Sequence, residues 1–139
     1  MTVTAKDLLG AWRLESWSFV YDDGRPREFP LGPDATGLII YTPGGQVSAT
    51  LMRAGRAAKT PATLEEKATG FAESFAYAGR YEVRNSTVFH SIEVATNPAL
   101  IGVTSTRHIN LDGDLLTLSG PDFAAGTGRT QMIVWRRST

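Results

Sequence analysis

The chain contains no cysteine. That excludes a disulfide framework, a thiol nucleophile and any thiolate metal site. Histidine is almost as scarce, with only His90 and His108 present. Charge of one sign is not in excess either, since 14 basic residues face 14 acidic ones. A nucleic-acid-binding domain carries a basic footprint, and the chain as a whole has none. No run of like charges reads as a membrane patch or an interaction tail. No apolar run approaches the ~18 residues of a membrane helix. The opening MTVTAKDLLGAW has no basic segment followed by a long apolar stretch, so no signal peptide is expected. The Gly-x-Ser-x-Gly elbow, the P-loop and the dinucleotide fingerprint are missing too. The expectation from these gaps is a cytoplasmic protein with no cofactor, no nucleic-acid partner and no membrane association.

What is present is ordinary globular material, 42% hydrophobic and 20% charged. At 139 residues it fits one domain over 1–139, large enough to bury a core of its own. The dominant period is two. Strands are predicted over 11–22, 36–42, 46–53, 79–84, 87–95, 103–111, 114–119 and 130–137. Turn chemistry separates them at Asp23-Gly24, Pro43-Gly44-Gly45, Asn85-Ser86 and Asp112-Gly113-Asp114. The short joints require antiparallel hairpins.

One helix interrupts the pattern. Thr63 and Glu66 form a capping box, and Leu64, Ala68, Phe71, Ala72 and Phe75 recur at helical spacing, with Gly79 as a stop. Leu64, Phe71 and Phe75 are expected to cover one mouth of the fold. Irregular stretches are expected at 30–33, 53–61 and 120–128. Eight short strands in an open sheet would leave two unpaired edges. Closing them gives a mainly β fold, an up-and-down antiparallel barrel wide enough for side chains or one small ligand. A two-sheet sandwich is the alternative that periodicity leaves open.

Family likeness enters with particular residues. Gly10-Ala11-Trp12 matches the Gly-x-Trp that opens the first strand of lipocalins. Trp135-Arg136-Arg137 falls where lipocalins carry an arginine packed on that tryptophan. Between them, in order, come PLGP (30–33), GLIIYTPGG (37–45), SATLMR (48–53), YAGRYEV (77–83) and LDGDLLTL (111–118). In this ordered set, nearly as long as the chain, the sequence resembles the bacterial lipocalin-like domain proteins. The resemblance implies a barrel with an internal cavity. It also implies two kinds of use, since some such barrels from biosynthetic gene clusters act as cyclases or isomerases. On this likeness Trp12 plugs one end of the barrel under Arg136.

Strand parity selects the candidate site residues, because alternate side chains face opposite sides. Over 87–95, Val88, His90, Ile92 and Val94 share the apolar face, which carries His90 inward. Tyr81 and Val83 share a face on the preceding strand, so Tyr81 and His90 are expected near each other. Arg107 shares its parity with Val103, Ile109 and Leu111; His108 takes the opposite face. Residues 38–41 are apolar on both faces, so Tyr41 is a ligand-binding candidate without a fixed side. The candidate ligand-binding set is thus His90, Tyr81, Arg107 and Tyr41. His90 and Tyr81 are the candidate proton donor and acceptor if there is catalysis, since histidine titrates near neutrality. Two histidines of opposite parity make a poor metal pair, so no metal is expected. Three functions stay open. One is a barrel binding a small, mostly apolar, perhaps anionic molecule. Another is a cyclase or isomerase of polyketide or terpenoid biosynthesis using the same cavity, where ordering the substrate supplies much of the rate. The third is an interaction protein using the barrel exterior. The oligomeric state is open as well, a homodimer included.

Overall fold

Alternating side chains along eight strands build the molecule, which we describe from a computed structural model over residues 2–121 and 128–138. A short helix α1 (Ala5–Leu8) leads into β1 (Gly10–Tyr21), β2 (Thr36–Tyr41) and β3 (Gln46–Met52). Helix α2 (Leu64–Ala72) follows, then β4 (Ser74–Arg84) and β5 (Thr87–Ala95). A 3₁₀ turn at Pro98–Leu100 precedes β6 (Thr104–Asp112), β7 (Leu115–Pro121) and β8 (Arg129–Ser138). Each strand pairs with its neighbours in sequence, and β1 pairs with β8 to close the barrel. The predicted sandwich alternative is thereby replaced by closure. Part of the stretch expected to be irregular over 120–128 is strand, since β7 runs to Pro121; residues 122–127 lie outside the described residues.

Two bulges decide which side chains face in. On β1, Leu14 pairs with Trp135 and Ser16 with Val134, which leaves Glu15 as the extra residue. An inserted residue reverses the alternation. Trp12 and Leu14 therefore face inward before the bulge, and Trp17 and Phe19 after it. This accounts for the dense aromatic run near the N-terminus: both halves of β1 feed one interior. The second bulge lies between β4 and β5, where Ala78 pairs with Val94 and Gly79 with Ile92. Here Glu93 is extra, and Val94 is turned outward, 62% exposed. The expectation of an inward Val94 is corrected by that one-residue insertion. Gly79 permits the close approach, since a Cβ there would sit 1.9 Å from the Ser91 carbonyl oxygen.

The helix differs from expectation. Its capping box is present, with Glu66 N donating to Thr63 Oγ1 at 3.0 Å and Thr63 N to Glu66 Oε1 at 3.1 Å. It ends at Ala72, and β4 begins at Ser74, so Gly79 stops no helix and Phe75 is a strand residue. Phe75 does face the interior, with its ring edge-on to Trp17 at 5.2 Å. Leu64 and Phe71 do not cover the mouth: they are 86% and 56% exposed. Once Phe75 leaves the helix for the sheet, the remaining apolar positions are too few to dock α2 on the barrel.

One end of the barrel is closed by short turns at 42–46, 85–86 and 113–114, with α1 beneath them. Trp12 is buried there and its indole N–H donates to the Leu8 carbonyl at 2.9 Å. The arginine on its face is Arg137, with the guanidinium carbon 4.1 Å from the ring. The same guanidinium donates to the carbonyls of Leu9 (3.3 Å) and Asp7 (3.1 Å). Expectation had put Arg136 in this place. Arg136 has the opposite parity and pairs with Glu15 outside. The other end carries the long connections 22–35, 53–73 and 96–103.

Trp12→Ala is expected to cost ~3–5 kcal/mol, the usual range for a buried large aromatic. In a urea melt the midpoint falls with little change in slope. Arg137→Ala lowers the midpoint more than Arg136→Ala, because it also strips partners from the α1 carbonyls.

Candidate functional site

A chain of three polar side chains crosses the apolar middle of the barrel. β5 turns Val88, His90 and Ile92 inward, and His90 is 1% exposed. Its Nε2 lies 2.7 Å from the Tyr41 hydroxyl and its Nδ1 lies 3.0 Å from the Tyr77 hydroxyl. Tyr41 comes from β2, where Ile39 and Tyr41 are buried while Leu38 and Ile40 are exposed. Sequence could not choose this side because both faces of β2 are apolar; the pairing of β2 with β1 and β3 makes the choice. Tyr77 was not expected at the site at all, since residues before Gly79 had been given to the helix. A signal for it existed: Phe75, Tyr77, Tyr81 and Val83 share one parity and continue a single inward row.

The other candidates are placed as follows. Tyr81 is the cross-strand partner of His90, with its ring 4.8 Å from that of Tyr41. Its hydroxyl, however, donates to the Thr42 carbonyl at 2.9 Å, toward the closed end, and makes no bond to His90. Arg107 pairs with Val88 across β5 and β6, so it is on the inward row, half-buried. One of its N–H groups donates to the Thr106 carbonyl at 2.9 Å. Gly120 leaves it room, since a Cβ there would lie 3.1 Å from Arg107 Cδ. Ser105 pairs with His90 on the same row, and His108 is exposed on the outer face.

Burial and Arg107 together set the charge state. Burial first, and then the positive field of Arg107, hold the His90 pKa down to about 3. The imidazole is therefore neutral at pH 7, with one ring nitrogen donating and the other accepting. This corrects the expectation of a histidine titrating near neutrality. Burial pushes the Tyr77 hydroxyl up to about 12, against a smaller lowering by Arg107. Tyr41 is raised well above the ordinary phenol value, again chiefly by burial. Both phenols keep their protons at neutral pH. Among the described residues no cluster of His, Asp and Glu could hold a metal ion. Among them, too, no helix is long and apolar enough to cross a membrane.

A histidine with a depressed folded pKa destabilises the fold in acid. Between its unfolded value of 6.5 and about 3, the unfolded chain binds a proton that the folded chain refuses. Stability then rises with pH across that window and is lost as pH falls through it, by about 1.4 kcal/mol per pH unit from this residue. Urea melts at pH 7 and pH 4.5 check this: His90→Gln should flatten the difference between the two pH values. An equal pH dependence in the variant would contradict the neutral buried imidazole.

Comparison with known proteins agrees with this architecture. The family model described as the lipocalin-like domain matches residues 9–138. A curated relative in Aspergillus oryzae, the 4'-hydroxy-3'-methoxypropiophenone carrier protein, is 34% identical over 85 residues. That match takes in 54% of this chain and 77% of the relative. A match over almost the whole chain, on a barrel closed in strand order with a Gly-x-Trp tryptophan sealed at one end, means that the chain belongs to the lipocalin-like domain family.

Proposed function

We propose that the protein is a carrier whose barrel interior binds one small, mostly apolar molecule with an aromatic part. The observation that carries this reading is a set of inward-facing side chains that keep accessible surface. Trp17, Phe75, Tyr77, Ser105, Arg107 and Ile133 point into the barrel yet are only half-buried. Ile39, Ala49, Leu116 and Leu118, on the same inner face, are buried. The half-buried set combines flat rings with a few polar groups, the composition that holds and orients small ligands. His90 and Tyr41 brace the polar part of this wall, Arg107 adds positive potential, and Tyr81 shapes the closed end.

Two further points support carriage over catalysis. A histidine held neutral down to about pH 3 is a poor general acid or base at pH 7. The curated relative is named for carrying a propiophenone, an aryl ketone. A ligand of that class suits the ring edges of Trp17 and Phe75. The lack of cysteine is compatible with work in the reducing cytoplasm.

Titration with 4'-hydroxy-3'-methoxypropiophenone, read by tryptophan fluorescence, should saturate at one molecule per chain. Ser105→Phe, which fills the interior beside His90, should weaken binding by about ten-fold or more while leaving the melting curve near that of the parent. Native mass spectrometry of protein from its own host should show a co-purifying small molecule. Failure of every small aromatic probe to saturate would end the carrier reading.

A further inference from the structure

The three-residue chain through His90 has a direction, and that direction leaves one donor for a ligand. Tyr41 is 1% exposed, and among the described residues its hydroxyl has one hydrogen-bond partner, His90 Nε2. If Tyr41 accepted a proton from Nε2, its own O–H would be buried with no acceptor, which is strongly disfavoured. Tyr41 must therefore donate, and Nε2 must accept. A neutral imidazole with a bare Nε2 carries its proton on Nδ1. That proton points at the Tyr77 hydroxyl oxygen, 3.0 Å away. Tyr77 then accepts from His90, and its own proton has no acceptor among the described residues. The Tyr77 hydroxyl is desolvated as well, but its residue borders accessible interior space where Tyr41's does not, so of the two phenols it is the one whose unmet proton an entering acceptor can reach.

We propose that Tyr77 is the donor that anchors a carbonyl oxygen of the bound ligand, and that Tyr41 and His90 are positioning residues that aim its proton. The inference rests on the carrier reading and deepens it to a ligand class: aromatic molecules with an oxygen acceptor conjugated to the ring. Three features of the site favour that class. The Tyr77 ring lies nearly parallel to that of Phe75, 8° between planes, which aligns two aromatic faces beside the donor. Arg107, which has other partners too, lowers the proton affinity of both Tyr77 and His90, and this sharpens Tyr77 as a donor. Each hydrogen bond in a donor-to-acceptor row also polarises the next, so a phenol that already accepts from Nδ1–H is a stronger donor than an isolated one.

Propiophenone and propylbenzene differ in one group, a carbonyl against a methylene, and make the test. Tyr77→Phe should weaken propiophenone by about five- to ten-fold, the loss of one hydrogen bond, and leave propylbenzene within about two-fold. Tyr41→Phe should weaken propiophenone part of the way, although Tyr41 touches no ligand. The ligand-free protein gives an independent reading. The chain has two histidines, so the ¹⁵N shifts of His90 are readily assigned by comparison with a His90→Gln sample. They should show Nδ1 protonated and Nε2 bare in the parent, with Nε2 protonation appearing in Tyr41→Phe. Parent protein with Nε2 protonated, or Tyr77→Phe weakening both compounds alike or neither, would overturn the inference while the carrier reading stands. If propylbenzene, propiophenone and every other small aromatic probe fail to bind the parent, the carrier reading falls and this inference with it.

Discussion

The pairing of β1 with β8 is the contact on which the remaining structure depends. It turns a sheet with two edges into one with an inside and an outside. Once the sheet is closed, every second side chain on every strand must enter the same small volume, whatever its chemistry. Apolar residues gain by this. A polar residue of that parity has no exit and must find partners inside. His90 meets this requirement through Tyr41 and Tyr77, one from each side of its ring. The three come from β5, β2 and β4, so the chain ties together strands that are not all neighbours and exists only because the barrel is closed.

The two ends of the barrel are built from different materials. At the closed end the turns are short, and an indole is held between a carbonyl and a guanidinium. Stacking a partly exposed guanidinium on tryptophan is worth ~0.5–1 kcal/mol, and this one also donates to backbone carbonyls and pairs with Asp114. At the open end the connections are long and α2 stands with its apolar residues in solvent. The inward rings there, Trp17 and Phe75, lean on one another edge to face and still keep accessible surface. Burial is complete near Trp12 and partial near Phe75, a gradient along the barrel axis.

Electrostatics inside the barrel is governed by scarcity. Arg107 lies on the inward row, and its field reaches the Tyr77 phenol and the His90 imidazole, both neutral at pH 7. Its field lowers the proton affinity of His90 in the same direction as burial, and opposes burial at Tyr77. At neutral pH the imidazole and the two phenols bring no negative charge to the interior. Gly120 contributes by absence, since a side chain there would press on Arg107.

Period and turn chemistry were enough to read the strands, their hairpin order and the capped helix, because each depends on neighbours within a few residues; the choice of barrel over sandwich leaned on the edge problem and the lipocalin likeness, and the plugging Trp12 on that likeness. Parity also carried His90 to the inner face. The errors have a common origin in one-residue events. An extra residue at Glu93 sent Val94 outward, and a neighbouring position of opposite parity, Arg137 in place of Arg136, holds Trp12. Tyr77 was hidden instead by a misplaced boundary: residues before Gly79 were given to the helix, although Phe75 and Tyr77 share the parity of the inward Tyr81 and Val83 on the strand that follows. Tyr41 was beyond reach for another reason: β2 is apolar on both faces, and only its two partners in the closed sheet decide which face is inner. Local sequence determined which residues form strands. Long-range register determined which of them meet, since a hydrogen bond between residues 41 and 90 is set by strand pairings that no short window contains.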